Sequence, residues 1–175
     1  MRAKVIFLSV FAPVLVLLDQ LTKQLVASRM VPGQSIPVLG DWVRLTFIYN
    51  QNGAFGLTPA ALLPFLSSKI FFTVFNLAAM ALVVGLYLKT EARERWMRLG
   101  LALIVSGAMG NLIDRLRLGH VIDFVDCDFP DIIMERFAIF NVADSCITVG
   151  IALLIFLTLR GKKNEPVPPA DNRKC

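Results

Sequence analysis

Charged residues are scarce in this chain, and so are the side chains on which zinc sites depend. Only 18% of its 175 residues are Asp, Glu, Lys or Arg, whereas 56% are hydrophobic and the mean hydropathy is +0.66. This balance excludes an ordinary soluble domain and predicts a protein that lies in lipid. A single histidine and three cysteines without a Cys-x-x-Cys spacing argue against a metal centre, so neither a metal nor a cofactor is expected.

Signatures of nucleophilic catalysis and of phosphate binding are also missing. The chain has no Gly-x-Ser-x-Gly elbow and no phosphate-binding glycine motif. Ser106 and Ser145 have only the distant His120 as a partner, and Cys146 in its apolar segment is interpreted as a buried, unreactive thiol. The net charge of +5 is better explained by basic residues on one side of a membrane than by a nucleic-acid partner, which is not expected.

Long apolar runs are what the sequence does contain. Crossing a bilayer takes about 20 mostly apolar residues in a helix. Four segments fit this length, at about residues 5–27, 70–88, 97–113 and 138–159. The first also resembles a secretory signal peptide, but Asp19 and Lys23 stand where a small-residue cleavage site would be expected. The sequence predicts a mainly α, polytopic membrane protein with one domain over residues 1–160 and a disordered tail over 161–175.

The segments between the spans predict some structure outside the hydrocarbon. Residues 28–69 are interrupted by glycine and proline, so no further span fits there. Within them, β-branched and aromatic residues at 42–49 predict a strand of a small sheet, and residues 60–66 predict a short interfacial helix. Residues 114–137 are expected to form a second outer loop, which would contain Asp123.

The distribution of basic residues predicts the orientation of the chain. In a four-span arrangement, eleven of the eighteen Lys and Arg residues fall on one side. They are Arg2, Lys4, Lys89, Arg93, Arg95, Arg98, Arg160, Lys162, Lys163, Arg173 and Lys174. By the positive-inside rule that side is the cytoplasm, so both termini are expected there and the two long loops are expected outside.

Polar residues from four separate stretches are predicted to meet at one depth, near the outer ends of the spans. They are Asp19, Lys23, Asn111, Asp114, Arg115, Asp123, Asn141 and Asp144. Asp144 precedes Arg160 by sixteen residues, which corresponds to roughly 24 Å along a helix and puts it near the outer edge of the hydrocarbon. Ionisable groups at such a depth are costly unless they are paired or reached by water, and they therefore mark functional sites.

Helical spacing suggests which of these groups are partners. Asp19 and Lys23 are four residues apart and predict an ion pair along the first span, and Asp114 with Arg115 is interpreted as a second structural pair. The groups that share a helix face are Asn141 with Asp144, and Asn111 with Asp114 and Arg115.

Asp123 and Asp144 remain without an obvious local cation. If they face each other in a partly dry site, repulsion and desolvation leave one carboxyl protonated and the other ionised near neutral pH. Such a pair supports metal-free hydrolysis of a peptide bond, as in aspartic proteases. From the residues alone other roles stay open, since Asp123 would be solvated in an ordinary loop and Asp144 would serve equally as a helix cap or a proton carrier.

Two other functions use the same residues differently. In a proton-coupled transporter, Asp19, Asp114 and Asp144 would form a relay, and Asp123 would be dispensable. In a non-catalytic assembly subunit, the polar layer would hold helices together, and Asp→Asn changes would have mild effects.

Four motifs resemble a known family. They are Asp-Gln-Leu-Thr-Lys at 19–23, Gly-Asn-Leu-Ile-Asp-Arg at 110–115, Gly-His-Val-Ile-Asp-Phe at 119–124 and Phe-Asn-Val-Ala-Asp-Ser at 140–145. In order and spacing they are similar to the motifs of bacterial lipoprotein signal peptidase, also called signal peptidase II, over nearly the whole chain apart from the tail. The resemblance implies an aspartic endopeptidase with Asp123 and Asp144 as its catalytic dyad.

The resemblance also implies roles for residues around the dyad. Residues expected to support the site or bind substrate are Asp19, Lys23, Asn50, Asn111, Asp114, Arg115 and Asn141. Around Asn50 the chain departs from the family pattern, because Asn52 stands where glycine is usual. The segments at 42–49 and 60–66 resemble the family's extracytoplasmic cradle and interfacial helix.

The family's substrate is a diacylglyceryl-modified prolipoprotein, cut before its lipidated cysteine. The resemblance implies that this reaction takes place at the outer face of the bacterial cytoplasmic (inner) membrane. The expected partners are this substrate and membrane lipid, and the chain is expected to act as a monomer.

Overall fold

The computed structural model describes residues 2–40, 42–51, 68–91, 93–128 and 138–162. Its helices and strands, in chain order, are α1 (Arg2–Arg29), β1 (Ser35–Leu39), β2 (Val43–Asn50), α2 (Ser68–Lys89), α3 (Arg95–Leu118), β3 (Val121–Cys127) and α4 (Val142–Lys162). The four helices are long and apolar enough to cross a membrane, and the strands form one antiparallel sheet in the order β1-β2-β3. The predicted fold class is therefore confirmed.

The third helix ends later in the chain than the apolar run at 97–113 predicted. α3 does not stop before Asp114 but continues to Leu118, so Asp114 and Arg115 are helical and not part of a loop. The helix ends because Gly119 adopts a left-handed conformation with φ 84°, which a residue without a Cβ tolerates. Polar residues at a helix end lower the local hydropathy without interrupting the helix, and a prediction from apolar runs therefore ends too early.

α3 is the central helix of the bundle and packs against each of the other three. Small residues allow a close approach to α4, since a Cβ added at Gly100 would lie 3.1 Å from the carbonyl oxygen of Gly150. At the other end of the bundle, the hydroxyl of Tyr87 donates a hydrogen bond of 2.8 Å to the carbonyl oxygen of Lys4. The beginning of α1 and the end of α2 therefore lie side by side, as a four-span chain requires.

The sheet covers the opposite end of the bundle, where α1 ends. Its buried face contributes Phe47, Ile122 and Phe124 to a core that also contains Val26 of α1 and Met30, the residue that follows this helix. β2 confirms the strand predicted at 42–49, whereas β1 and β3 were not predicted. Asp123 lies in β3, so its expected place in a loop is wrong.

β3 also holds the start of α4 through a short bridge. The backbone of Phe140 accepts a hydrogen bond of 2.8 Å from the N–H of Val125 and donates one of 3.0 Å to its carbonyl oxygen. The predicted interfacial helix at 60–66 and most of the predicted tail, from residue 163, lie outside the described residues.

Candidate functional site

Buried polar side chains gather where the C-terminal parts of α1 and α3 and the first turn of α4 meet β3. At most 5% of each of the following residues is exposed: Asp19, Lys23, Asn111, Asp114, Asp123 and Asn141. Asp144 is partly buried beside them. The structure therefore brings together at one depth the residues that the sequence placed there.

Lys23 lies at the centre of this cluster. Its ammonium nitrogen is 2.9 Å from Asp19 Oδ2, 2.9 Å from Asp114 Oδ2 and 2.9 Å from Asn111 Oδ1, which uses all three of its donors. The predicted Asp19–Lys23 pair is confirmed. The predicted Asp114–Arg115 pair is wrong, because Asp114 faces α1 and pairs with Lys23, while neighbouring residues of a helix do not share a face.

Asp114 connects three elements through its two oxygens. Besides the contact with Lys23, Oδ2 accepts a hydrogen bond of 3.2 Å from the N–H of Ile122, at the start of β3. Oδ1 accepts one of 2.9 Å from the side-chain amide of Gln20, which also donates to the carbonyl oxygen of Gly110 at 3.2 Å. Gln20 was not predicted, although it lies beside Asp19 in the first motif.

Asp19 caps α4 from a different helix. Its Oδ1 accepts a hydrogen bond of 2.9 Å from the N–H of Ala143, one of the free donors at the first turn of α4. This approach needs glycine at position 110, because a Cβ there would lie 2.6 Å from Asp19 Oδ2. The depth and angle of α4 are thus set partly by α1.

Asn141 and Asp144 cap the same helix reciprocally. The Asn141 Oδ1 accepts a hydrogen bond of 2.9 Å from the N–H of Asp144, and Asp144 Oδ2 accepts one of 3.2 Å from the N–H of Asn141. This arrangement corresponds to a capping box. The other oxygen of Asp144 accepts a hydrogen bond of 2.7 Å from Asn111 Nδ2, so the carboxylate is held from two helices.

Asn141 also reaches the second aspartate. Its Nδ2 donates a hydrogen bond of 2.7 Å to Asp123 Oδ1, and the Nδ2 of Asn50 donates one of 2.9 Å to Asp123 Oδ2. The departure from the family pattern at Asn52 therefore does not prevent Asn50 from reaching Asp123. One fully buried asparagine contacts both aspartates and fixes their relative position.

The surroundings of Asp123 change its acidity. Burial and the nearby charge of Asp144 raise the pKa of the Asp123 carboxyl from 3.8 to about 6. Hydrogen bonds from Asn50 and Asn141, and the charge of Lys23, oppose this shift. A carboxyl with such a pKa can exchange its proton near neutral pH, as acid–base catalysis requires.

The side chain of Arg115 contacts α2. Its guanidinium is 5.6 Å from the centre of the Phe72 ring, and its Nη1 donates a hydrogen bond of 3.4 Å to the carbonyl oxygen of Asn111. It interacts electrostatically with Asp144 and Asp123. Among the residues that the structure describes, no group of three His, Cys, Asp or Glu side chains is arranged to hold a metal ion.

The chain is similar in sequence to proteins of a known family. The sequence pattern of the family described as Signal peptidase (SPase) II matches residues 11–160. A lipoprotein signal peptidase of Syntrophus aciditrophicus (strain SB) is 35% identical over 94% of this chain and 99% of its own length. One from Desulforapulum autotrophicum is 39% identical over 89% of this chain and 93% of its own length.

The fold is also similar to that of a solved structure. A bacterial membrane enzyme has a TM-score of 0.76 and 29% identity, covering 95% of this chain and 95% of its own. The match of the family pattern over most of the chain and the identity to its members show that this chain belongs to the signal peptidase II family, the lipoprotein signal peptidases.

Proposed function

We propose that this protein is an aspartic endopeptidase that removes the signal peptide from diacylglyceryl-modified prolipoproteins, with Asp123 and Asp144 as its catalytic residues. The observation that carries the proposal is the contact of one buried side chain, Asn141, with both aspartates. Membership of the family supports the substrate class, since the relatives are lipoprotein signal peptidases.

The two aspartates have different surroundings, which supports different roles. Asp144 lies in the first turn of α4, where the helix dipole favours a negative charge, and is assigned as the base. Asp123, with its pKa raised to about 6, is assigned as the carboxyl that holds the proton. Because the pair titrates as a unit, this assignment describes the most favourable arrangement of one proton over two groups.

The proposed reaction needs only water and these two carboxyls. Asp144 removes a proton from a water molecule, whose oxygen attacks the carbonyl carbon of the peptide bond, while Asp123 donates its proton to the carbonyl oxygen. The tetrahedral intermediate collapses with transfer of a proton from Asp144 to the leaving amine, and the carbonyl proton returns to Asp123. The products are the free signal peptide and a chain that begins with the lipidated cysteine.

The position of the site suits a substrate that lies at the membrane surface. The polar cluster lies at the end of the bundle that carries the sheet, opposite the end where Arg2 begins α1 and Lys89 ends α2. The basic residues at that opposite end support a cytoplasmic location for it, and we propose on this basis that the cluster lies at the outer face of the inner membrane.

Cleavage by purified protein in detergent tests the proposal. The substrate is a diacylglyceryl-modified prolipoprotein, and the same precursor without the lipid is the substrate control. Wild type is expected to cut only the lipidated form, before the modified cysteine and in the presence of a chelator. Asp123→Asn and Asp144→Asn are each expected to lose activity by about 10⁴-fold or more while staying folded, since each removes one half of the acid–base pair.

Asp128→Asn is the matched control, because Asp128 directly follows β3 but makes no contact with Asp123 or Asp144 in the described part of the chain. It is expected to keep near-normal activity. Retention of activity by Asp123→Asn or Asp144→Asn would remove that aspartate from the mechanism, and failure of the wild type to cut the lipidated precursor would overturn the proposed function.

A further inference from the structure

A β-bulge lies beside Asp123 and changes which residues of β2 can reach it. On one side of the bulge Leu45 pairs with Val125, and on the other side Ile48 pairs with Asp123. Two residues of β2, Thr46 and Phe47, are therefore opposite one residue of β3.

This extra residue decides the face on which Asn50 lies. Ile48 is directly opposite Asp123, so Asn50, two residues further along β2, shares the face of Asp123 and reaches its carboxylate. Without the extra residue, Asp123 would be opposite Phe47, and Asn50 would lie on the other face, because side chains alternate along a strand. The hydrogen bond between Asn50 and Asp123 therefore depends on the bulge.

A buried carboxyl that takes no part in the proposed chemistry forms a hydrogen bond with a residue of the bulge. Asp126 is 1% exposed, and its Oδ2 accepts a hydrogen bond of 2.6 Å from the hydroxyl of Thr46. Since this hydroxyl has a single proton, the 2.8 Å contact between Thr46 and Ser35 must be donated by Ser35. The hydrogen bond that the Thr46 hydroxyl donates to the Asp126 carboxyl is thus the one that fixes the orientation of this hydroxyl.

We propose that Thr46 and Asp126 form a register lock, which holds the bulge of β2 and thereby positions Asn50 against Asp123. Both are positioning residues, since neither touches the reacting atoms. The inference rests on the proposed function as far as it concerns catalysis. Its structural part, the register of β2 against β3, is independent of any activity.

Disulfide formation between paired cysteines measures the register directly. In a background with Cys127, Cys146 and Cys175 replaced, Tyr49→Cys is combined with either Ile122→Cys or Val121→Cys. The bulged register pairs residue 49 with 122, whereas the regular register would pair it with 121. With Thr46 intact the first combination is expected to cross-link. Thr46→Val, which keeps the branched shape and removes the hydroxyl, is expected to reduce that yield at least threefold and to increase the yield of the second.

The pH dependence of cleavage measures the effect on Asp123. In the described part of the chain, the charged groups that interact with Asp123 are Asp144 of α4, Lys23 of α1 and Arg115 of α3, and none of them is altered by the substitution. Because the hydrogen bond from Asn50 lowers the pKa of Asp123, its loss is expected to move the alkaline limb of kcat/KM to higher pH. Thr46→Val and Asn50→Ala are expected to shift it equally and to lower kcat by about tenfold each, the usual cost of one hydrogen bond to a charged group.

The combination of the two substitutions separates positioning from general destabilisation. Thr46→Val with Asn50→Ala is expected to lower kcat no further than Asn50→Ala alone, because the lock acts only through Asn50. Ser35→Ala, which removes the other partner of the Thr46 hydroxyl, is the control and is expected to match wild type in cross-linking and pH profile.

Three results would each overturn one part of the account: the lock, its link to Asp123, or the dyad. An unchanged cross-linking pattern in Thr46→Val would overturn the lock. A changed pattern with an unmoved alkaline limb would overturn its link to Asp123. Activity retained by Asp123→Asn would overturn the dyad, while the cross-linking result would still stand as a test of the register.

Discussion

The carboxylate of Asp19 in α1 accepts a hydrogen bond of 2.9 Å from the backbone N–H of Ala143 in α4, so a side chain of the first helix caps the last one. Two substitutions separate this cap from the charge of Asp19. Asp19→Asn keeps an acceptor oxygen and loses the ion pair with Lys23, whereas Asp19→Ala loses both. Because a lost cap costs about 1 kcal/mol, the unfolding temperature in detergent is expected to fall further for Asp19→Ala. Equal unfolding temperatures would show that the cap contributes nothing.

Lys23 neutralises two buried carboxylates, and its removal is expected to be more damaging than that of either partner. Lys23→Met keeps most of the side-chain volume but removes the ammonium group that pairs with both buried carboxylates, Asp19 and Asp114. Breaking such a pair costs about 3–5 kcal/mol. Thermal unfolding in detergent should show the loss, and the double variant Lys23→Met with Asp114→Asn should recover part of it. A Lys23→Met protein as stable as wild type would contradict this view of the cluster.

Asn141 has two functions that a smaller polar residue can separate. Ser at position 141 still accepts the N–H of Asp144 as a helix cap but has no amide to donate to Asp123. Asn141→Ser is therefore expected to keep nearly the wild-type unfolding temperature and to lose cleavage activity by about 10- to 100-fold, as loss of a hydrogen bond to a charged group implies. Asn141→Ala should lose both. Comparable activity of Asn141→Ser and wild type would contradict a positioning role for its amide.

The contact between α3 and α4 allows no side chain at Gly107. A Cβ there would collide with the carbonyl oxygen of Ala143 and lie 2.8 Å from Ile147 Cγ1. Gly107→Ala should therefore push the start of α4 away from Asn111, lowering both stability and activity. Gly85→Ala is the matched control, since a Cβ at Gly85 would have no atom within 4 Å, and it should leave both unchanged or raise stability slightly. Similar results for the two variants would contradict close packing at Gly107.

The raised pKa of Asp123 predicts how cleavage depends on pH. Asp123 donates its proton in the proposed reaction, and a raised pKa means that it keeps this proton to higher pH than an ordinary aspartate. The value of kcat/KM is expected to fall as the pH rises through about 6, since Asp123 is then ionised in the free enzyme. A pH profile of kcat/KM with a lipidated substrate measures this limb. A profile that shows no decline until far above this value would contradict the assignment of Asp123 as the acid.

The sequence predicted the parts of this protein that depend on local patterns. The spans follow from apolar length, and the Asp19–Lys23 pair follows from a spacing of four residues along one helix. The pairing of Lys23 with Asp114 was not predictable in this way, because it depends on how α1 rotates against α3.

The error about Asp123 has a related cause. Its strand pairs with β2, more than seventy residues earlier in the chain, and short strands leave a weak local signal when the pairing is so distant. The bulge at Thr46 is still less visible, since it is a property of two strands together. The gathering of these polar residues at one level of the bundle could thus be inferred from residue positions, whereas the contacts that orient each aspartate required the structure.

The hydrogen bonds across the bundle bear on how the chain matures during synthesis. Asn141 and Asp144 belong to the last helix to emerge, whereas Asp19 and Lys23 belong to the first. A nascent chain whose last span has not yet been made therefore contains Asp123 without its partner. In the proposed mechanism, which needs both Asp123 and Asp144, the enzyme becomes competent only after its last helix has been made and packed, and an unfinished chain therefore cannot cut precursors that are being exported beside it.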